Sequence, residues 1–255
     1  MTNSVNYVIT KLGIDQNGQT THTRFLIKKE RMISISYESF ENLDEKKKQK
    51  IINAGFSVFA KYGYAKASVD EIVKLAGISK GSLFYYFQNK QNFFNYLYDY
   101  SMNIMHNAIN SPDLNGKPSY LKYTDFFERL NAIQLMKMKA NLAHPQMGAF
   151  IKKMIFDSSS VAQDAMKNMI TKYQDSSIKE FLTGLDLSKF KNGIDPLMVI
   201  QLIIWCSEGC VNQVQTQHQA SMDLDQAEAD FEQVVRLYYR YVELFRKNFY
   251  KDEYV

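Results

Sequence analysis

The sequence predicts an all-α protein in which a helix-turn-helix unit precedes a longer helical region. The 255 residues include only 4 prolines and 11 glycines, and apolar residues recur at helical spacing over long stretches. The chain shows no alternation of strands and helices that could build a parallel sheet. The segment from Ser68 to Phe87 has the pattern of a helix, a glycine turn and a second short helix.

Residues 1–40 precede the periodic part of the chain, and two interpretations of them remain open. One is a disordered extension, because residues 5–10 and 23–28 would make only an isolated hairpin, which is marginal in water. The other is that translation begins at Met32, since Lys29-Glu30 can be encoded by AAGGAG, a ribosome-binding sequence. In both cases we assign residues 1–40 to an N-terminal extension.

Apolar spacing predicts the first helix of the domain from Asp44 to Tyr62, with Gly63 as its C-cap. The lysines at 46–48 lie in its first turn, where they oppose the positive end of the helix dipole. A nearby phosphate would make this arrangement favourable, although solvation alone would also tolerate it.

Capping signals divide residues 68–87 into two helices. Ser68 and Glu71 form an S-x-x-E capping box, and Gly77 suits the left-handed conformation that ends a helix. Ser79 caps the second helix, which opens with the sequence Lys80-Gly81-Ser82. A second helix presented by its N-terminal residues is how a helix-turn-helix unit enters a major groove.

Positive charge is concentrated in the same region. Between residues 46 and 98 there are nine lysines and two acids, Asp70 and Glu71, whereas the whole chain has a net charge of +4. The rest of the chain is therefore mildly acidic. A basic module on an acidic body is typical of nucleic-acid binding, and its coincidence with the helix-turn-helix outweighs the alternative of a solvated lysine face.

Residues 47–98 resemble the DNA-binding domain of the TetR/AcrR family of transcriptional repressors. The resemblance rests on four stretches of this sequence: Ile51–Tyr64, Ser68–Val73, Ala76–Phe87 and Asn89-Lys90. It implies an all-helical homodimer, with a three-helix DNA-binding domain at residues 41–90. Residues 91–255 would then form a ligand-binding and dimerisation domain that senses a small molecule.

The resemblance also implies DNA-contacting positions, carried over residue by residue. Lys80 would donate to guanine, and Gly81 would let the backbone approach base edges closely. Lys90 would contact a phosphate at the start of its helix, and Ser68 would act both as a cap and as a phosphate ligand. For Tyr85 and Tyr86 the alternative is packing between helices. The positions are Lys46, Lys47, Ser68, Ser79, Lys80, Gly81, Ser82, Tyr85, Tyr86 and Lys90.

Periodicity predicts further helices through the rest of the chain. Asn89 caps a helix that starts at Lys90, and later helices are expected over 120–142, 146–157, 160–183, 195–218 and 224–249. The resemblance implies that the last two helices pair with their copies to form the dimer interface. The alternative is that they form a monomeric core.

Methionine and aromatic residues are frequent in the middle helices, as in binders of varied apolar ligands. The candidate ligand-binding residues are Met102, His106, Met136, Phe150, Met154, Met169, Trp205 and Glu208. Plain core packing is the alternative for the methionines. Cys206 and Cys210 lie four residues apart on one helix face, which raises a redox or metal switch as a further alternative to ordinary burial.

Catalytic and metal chemistry are disfavoured by the same patterns. Gly77-Ile-Ser-Lys-Gly81 matches G-x-S-x-G, but the nucleophile elbow of hydrolases needs a preceding strand, and here helical caps precede it. No paired metal-ligand spacing occurs among the histidines and cysteines, and no cofactor is expected. Neither a membrane span nor a signal peptide is indicated.

We therefore expect a cytoplasmic, homodimeric regulator that binds a double-stranded DNA operator, most simply a repressor released by a small apolar ligand. Activation in place of repression stays open. The alternative is a helical interaction protein that keeps the fold but no longer binds DNA.

Overall fold

A computed structural model of the chain describes residues 37–217 and 224–255. This part of the chain is helical, with no named strand among the described residues. The helices are α1 Glu38–Glu41, α2 Glu45–Lys66, α3 Val69–Ala76, α4 Lys80–Phe87, α5 Lys90–Ile109, α6 Phe126–Ala143, α7 Pro145–Phe156, α8 Ser160–Leu182, α9 Pro196–Gln217 and α10 Leu224–Phe249. Short 3-10 helices cover Ser119–Lys122, Leu187–Lys189 and Asp252–Tyr254. The predicted all-α fold is confirmed.

The α2–α4 unit has the order expected of a helix-turn-helix domain, and α5 follows it directly. Close packing of α2 on α5 depends on Gly55, because a Cβ there would lie 2.6 Å from side-chain atoms of Leu97 and Phe93. Alanine or anything larger would push the two helices apart. Helix α2 is longer than the predicted helix that ends at Tyr62, because the chain resumes helical geometry after Gly63 and continues to Lys66.

Residues 37–40, which precede the expected start of the domain at residue 41, pack against it. The compact unit begins at Tyr37, and Phe40 is fully buried. Its ring lies 4.7 Å from that of Phe87 and 5.7 Å from that of Tyr86, measured between centroids. The α1 segment is therefore part of the core behind α4. The predicted hairpin and the possible start at Met32 lie outside the described residues.

The predicted helix over 120–142 is divided. A 3-10 turn is followed by a break, and Asp125 then starts α6 by accepting hydrogen bonds from the N–H groups of Phe127 and Glu128. The Asp125 carboxylate is buried and also pairs with Lys189 at 2.8 Å. A side chain that caps a helix satisfies amides that have no partner in the first turn.

One large core connects the helix-turn-helix region with α7. Phe150 of α7 is buried against Phe56 and Phe59 of α2 and Phe94 of α5, with ring centroids 5.2 to 6.4 Å apart. A second cluster forms where α6, α9 and the end of α10 meet, around the buried residues Phe126, Phe190 and Tyr250. The packing of α7 on α2 thus places the long helical part directly behind the helix-turn-helix domain.

Candidate DNA-binding surface

The turn between α3 and α4 follows the sequence prediction. Gly77 adopts a left-handed conformation with φ 68° and ψ 37°. The N–H groups of Gly77 and Ile78 donate back to the carbonyls of Lys74 and Val73, which ends α3. A residue with a Cβ is strained at this φ, so glycine is the natural choice here.

The opening turn of α4 is presented outward. Ser79 caps the helix by accepting a hydrogen bond from the Ser82 N–H at 3.0 Å, and the two hydroxyls are 2.8 Å apart. Lys80 and Gly81 are exposed. A Cβ built on Gly81 would meet only the Ser79 hydroxyl, at 3.7 Å. Among the described residues, nothing therefore demands glycine at this position, in agreement with a requirement for close approach by an external molecule.

Asp70 is a member of this surface that the sequence analysis did not single out. Its carboxylate lies 3.0 Å from the Lys80 ammonium, and both side chains are at least half exposed. The carboxylate therefore partly neutralises the lysine expected to face bases. Its position in the first turn of α3, as one of only two acids in the basic region, was the available signal.

The two tyrosines of α4 have different surroundings. Tyr85 is 72% exposed, so its ring and hydroxyl are accessible to a partner. Tyr86 is half-buried, and its ring packs edge-on against Phe40. The packing alternative thus describes the Tyr86 ring in the free protein, while a DNA contact by its hydroxyl stays a prediction.

The predicted capping box at the start of α3 is wrong. Ser68 occupies the N-cap position, but its side chain makes no capping hydrogen bond. Glu71 instead accepts a hydrogen bond from the Tyr62 hydroxyl at 3.2 Å. The Tyr62 hydroxyl, near the end of α2, competes for the Glu71 carboxylate that the capping box would use. Ser68 is exposed.

Lys90 has a role that the sequence did not predict. Its ammonium donates to the carbonyl oxygens of Tyr64, Ala65 and Ala67 at 2.9, 3.4 and 3.3 Å. It also lies 4.5 Å from the centroid of the Tyr64 ring. Burial lowers the pKa of this ammonium. Because an ammonium has only three N–H donors, a direct phosphate contact would have to replace at least one of these bonds.

Lys46 and Lys47 lie at the exposed start of α2. Asp44 caps this helix by accepting from the backbone N–H groups of both lysines. Neither lysine side chain forms an ion pair within the described residues, whereas Lys48 pairs with Glu45 at 2.9 Å. Two of the three lysines at 46–48 therefore remain available to a polyanion.

The candidate ligand-binding residues are not brought together around one cavity. Phe150 and Met154 are buried in the large core, Met102 and Met136 are half-buried, and His106 is exposed on α5. Trp205 and Glu208 are exposed on α9, and the side chain of Met169 lies outside the described residues. A cavity of about 270 Å³ lies between α2, α5 and the α6–α7 turn, and none of these residues lines it.

The two cysteines of α9 have unreactive surroundings. Burial raises the pKa of the Cys206 thiol to about 11, helped by the neighbouring Cys210. Burial also raises the pKa of Cys210. Since the thiolate is the reactive form, both shifts oppose the redox switch considered above.

The last two helices expose much apolar surface. Among the described residues, α9 is the one helix long and apolar enough to cross a membrane by length and composition, a measure that core helices of soluble proteins also meet. Its neighbour α10 exposes three large apolar side chains among charged ones. The exposed large apolar residues of the two helices are Leu197, Met198, Trp205, Tyr239, Tyr241 and Leu244.

Residues 51–97 match the family model described as bacterial regulatory proteins, tetR family. The resemblance recognised in the sequence is confirmed for this region. The HTH-type transcriptional regulator YerO of Bacillus subtilis is 38% identical over 76 residues, which are 28% of this chain and 26% of YerO. The regulator QacR of Staphylococcus aureus is 45% identical over 47 residues, 18% of this chain and 25% of QacR. The chain thus matches about a quarter of the length of each of these relatives.

The fold extends beyond the matching sequence. A TetR family transcriptional regulator from Chloroflexus aurantiacus has a similar structure, with a TM-score of 0.50 and 17% sequence identity. The similarity covers 84% of this chain and 98% of that one. The chain therefore has a TetR-like fold, with an N-terminal helix-turn-helix domain and a C-terminal helical domain.

Proposed function

We propose that this chain, whose helix-turn-helix domain is that of the TetR family, is a sequence-specific DNA-binding transcription regulator. It acts in the cytoplasm as a homodimer and represses transcription until a small apolar ligand releases it from its operator. The observation that carries the proposal is the opening turn of α4. There Lys80 and Gly81 are exposed, and Ser79 fixes the backbone that presents them.

In this proposal the α4 turn reads bases, and the surrounding cations hold phosphates. Lys80 and Ser82 face base edges, and the open space at Gly81 lets the helix approach the duplex closely. Lys46, Lys47 and Ser68 contact phosphates, with Tyr85 at the edge of the interface. Two copies of α4 in a dimer would meet half-sites about 34–36 Å apart.

The dimer would use the exposed apolar side chains of α9 and α10. Exposed apolar side chains that form a patch mark interaction sites, and we propose that these side chains form one. Pairing the two helices with their copies would cover Trp205 and Leu244, which are about half exposed in one chain. The same pairing accounts for the apolarity of α9 without a membrane.

The proposed effector binds the C-terminal helical part. The methionines of α5 to α7 favour an apolar compound, because methionine side chains adapt to varied apolar shapes. In the dimer the two copies of α4 can adopt more than one relative arrangement in this proposal. A ligand that binds one arrangement more tightly than another would change the DNA affinity by the difference between its two binding free energies.

Selection of bound fragments from random genomic DNA by the full-length protein tests the function. We expect recovery of fragments that share a palindromic site. Lys80→Ala should alter base preference within each half-site by about 1–3 kcal/mol, the size of one good base contact. Lys139→Ala removes a charge from an exposed position of α6 and should leave the preference unchanged. Recovery of no enriched fragment would favour the alternative, an interaction protein that retains the fold.

A further inference from the structure

Residues 63–67 run from the kink in α2 through its last turn toward α3, and they are held by long-range contacts. Helical geometry breaks at Gly63, where φ is 68° and ψ is 176°. The chain then makes one more turn and enters α3 after Ser68. Any change in this segment changes the direction in which α3 and α4 leave α2.

Asp157 is the contact from the C-terminal helical part. It lies between α7 and α8 and is 5% exposed. One carboxylate oxygen accepts a hydrogen bond from the Tyr64 N–H at 2.7 Å, across 93 residues of sequence. The other oxygen accepts from the Ser159 N–H at 2.9 Å, at the start of α8. A single buried carboxylate therefore joins the α7–α8 junction to the entrance of the helix-turn-helix.

The approach of Asp157 depends on the glycine at the kink. A Cβ on Gly63 would lie 2.9 Å from the same oxygen that accepts the Tyr64 amide. The positive φ of Gly63 turns the next amide toward the carboxylate, and the missing side chain lets the carboxylate reach it. Sequence and geometry are thus fitted to this one contact.

Lys90 and Glu71 restrain the same segment from the DNA-binding domain. Lys90 of α5 bonds three carbonyls of residues 64–67. Glu71 of α3 accepts from the Tyr62 hydroxyl just before the kink. With its carbonyls and the Tyr64 amide engaged, the segment cannot absorb a displacement of Asp157 without moving α3 or breaking a buried hydrogen bond. Leaving a buried donor unpaired costs about 1–3 kcal/mol.

We infer that Asp157 is a positioning residue that couples the α7–α8 junction to the orientation of the helix-turn-helix. The inference rests on the proposed DNA-binding function and names the contact through which the C-terminal part acts on it. A shift of the junction moves the acceptor of the Tyr64 amide, and the entrance to α3 follows. By linkage, DNA that fixes the helix-turn-helix also restrains the α7–α8 junction.

Hydrogen exchange of the full-length protein, read by mass spectrometry without DNA, tests the contact. Asp157→Ala should speed exchange of the amides of residues 64–76 by roughly tenfold or more, the effect of losing one hydrogen bond to a charged group. Asp157→Asn keeps an oxygen acceptor and should restore most of the protection. Asp164→Ala, at an exposed position of α8, serves as the control and should match the unaltered protein.

A second arm adds the DNA recovered by selection and tests the coupling. Binding should slow exchange of residues 157–163 in the unaltered protein and in Asp164→Ala, and much less in Asp157→Ala. A merely structural carboxylate would give the same DNA effect in all variants, which would overturn the inference. It would also be overturned if Asp157→Ala changed exchange at 157–163 alone. Failure to recover any DNA would refute the proposed function, while the first arm would still decide the contact.

Discussion

Replacement of Lys90 by alanine separates two physical roles for the same ammonium. In a direct phosphate contact, the lysine releases one counterion on binding, and its loss should flatten the dependence of log K on log salt by about 0.9. In the structure, however, the ammonium already donates to three carbonyls at the end of α2. We therefore expect Lys90→Ala to weaken binding while leaving the salt slope unchanged.

The size of the effect follows from these contacts. A hydrogen bond involving a charged group contributes about 1.5–3 kcal/mol net. Lys90 is partly exposed, and two of its three bonds are 3.3 to 3.4 Å long. We therefore take the low end, about 1.5 kcal/mol for the whole set. If that energy holds α3 in its binding orientation, DNA affinity should fall about tenfold.

The assay is fluorescence anisotropy with the selected operator and a random duplex at several salt concentrations. Lys46→Ala is the matched control, because Lys46 is exposed and makes no ion pair within the described residues. It should flatten the slope by about 0.9 and so show that the assay detects the loss of one phosphate contact. An equal flattening in Lys90→Ala would refute the positioning role and restore the phosphate contact predicted from sequence.

Three further outcomes are expected. Asp70→Asn should raise affinity for random duplex several-fold at low salt and steepen its salt slope by up to about 0.9, because Lys80 is freed for phosphate. The free energy of unfolding should decline as the pH falls from about 5 through 3. Burial raises the pKa of Asp125, but Lys189 and backbone N–H groups lower it more, so the folded-state pKa lies below the unfolded value near 3.9. Protonation of Asp125 therefore removes stability in this range. Trp205→Glu should convert the dimer to monomers in sedimentation at micromolar concentration, since it places a charge in the apolar face.

The first two of these outcomes have a control variant, and each of the three can be contradicted. Asp164→Asn, an equal charge change on α8, should leave binding to random duplex unaltered, and unchanged slopes in Asp70→Asn would contradict the ion-pair argument. Lys189→Ala should shrink the acid-dependent loss of stability measured by urea unfolding. An unshifted acid transition in that variant would show that other carboxylates dominate. A monomeric unaltered protein would remove the basis for the Trp205 experiment.

Sequence reasoning succeeded where the physics is local. Gly77 was assigned to the turn because its left-handed φ suits glycine, and Ser79 was assigned as a cap because its hydroxyl reaches an amide three residues away. The bounds of α7 follow from Pro145 and from apolar spacing, and they differ from the prediction by one residue at each end. Such features depend on neighbours along the chain, which a single sequence contains.

Reasoning from sequence failed where a distant group competes with a local one. The Ser68–Glu71 capping box was displaced by the Tyr62 hydroxyl. The contact of Asp157 with the Tyr64 amide spans 93 residues, and no local sequence pattern in either segment predicts it. The α1 segment has only four residues, too few to show helical periodicity. The phosphate contact of Lys90 stays a prediction, whereas its bonds to the carbonyls of residues 64, 65 and 67 depend on groups that only the folded chain brings within reach.

The buried ring of Phe40 has a practical consequence for where the chain can be shortened. The ring lies 4.7 Å from that of Phe87 and so supports α4 from behind. A truncation that starts at Asp44 would remove it and uncover the sides of Phe87 and Tyr86 that pack against it. A shortened chain for expression should therefore include Tyr37 and Phe40.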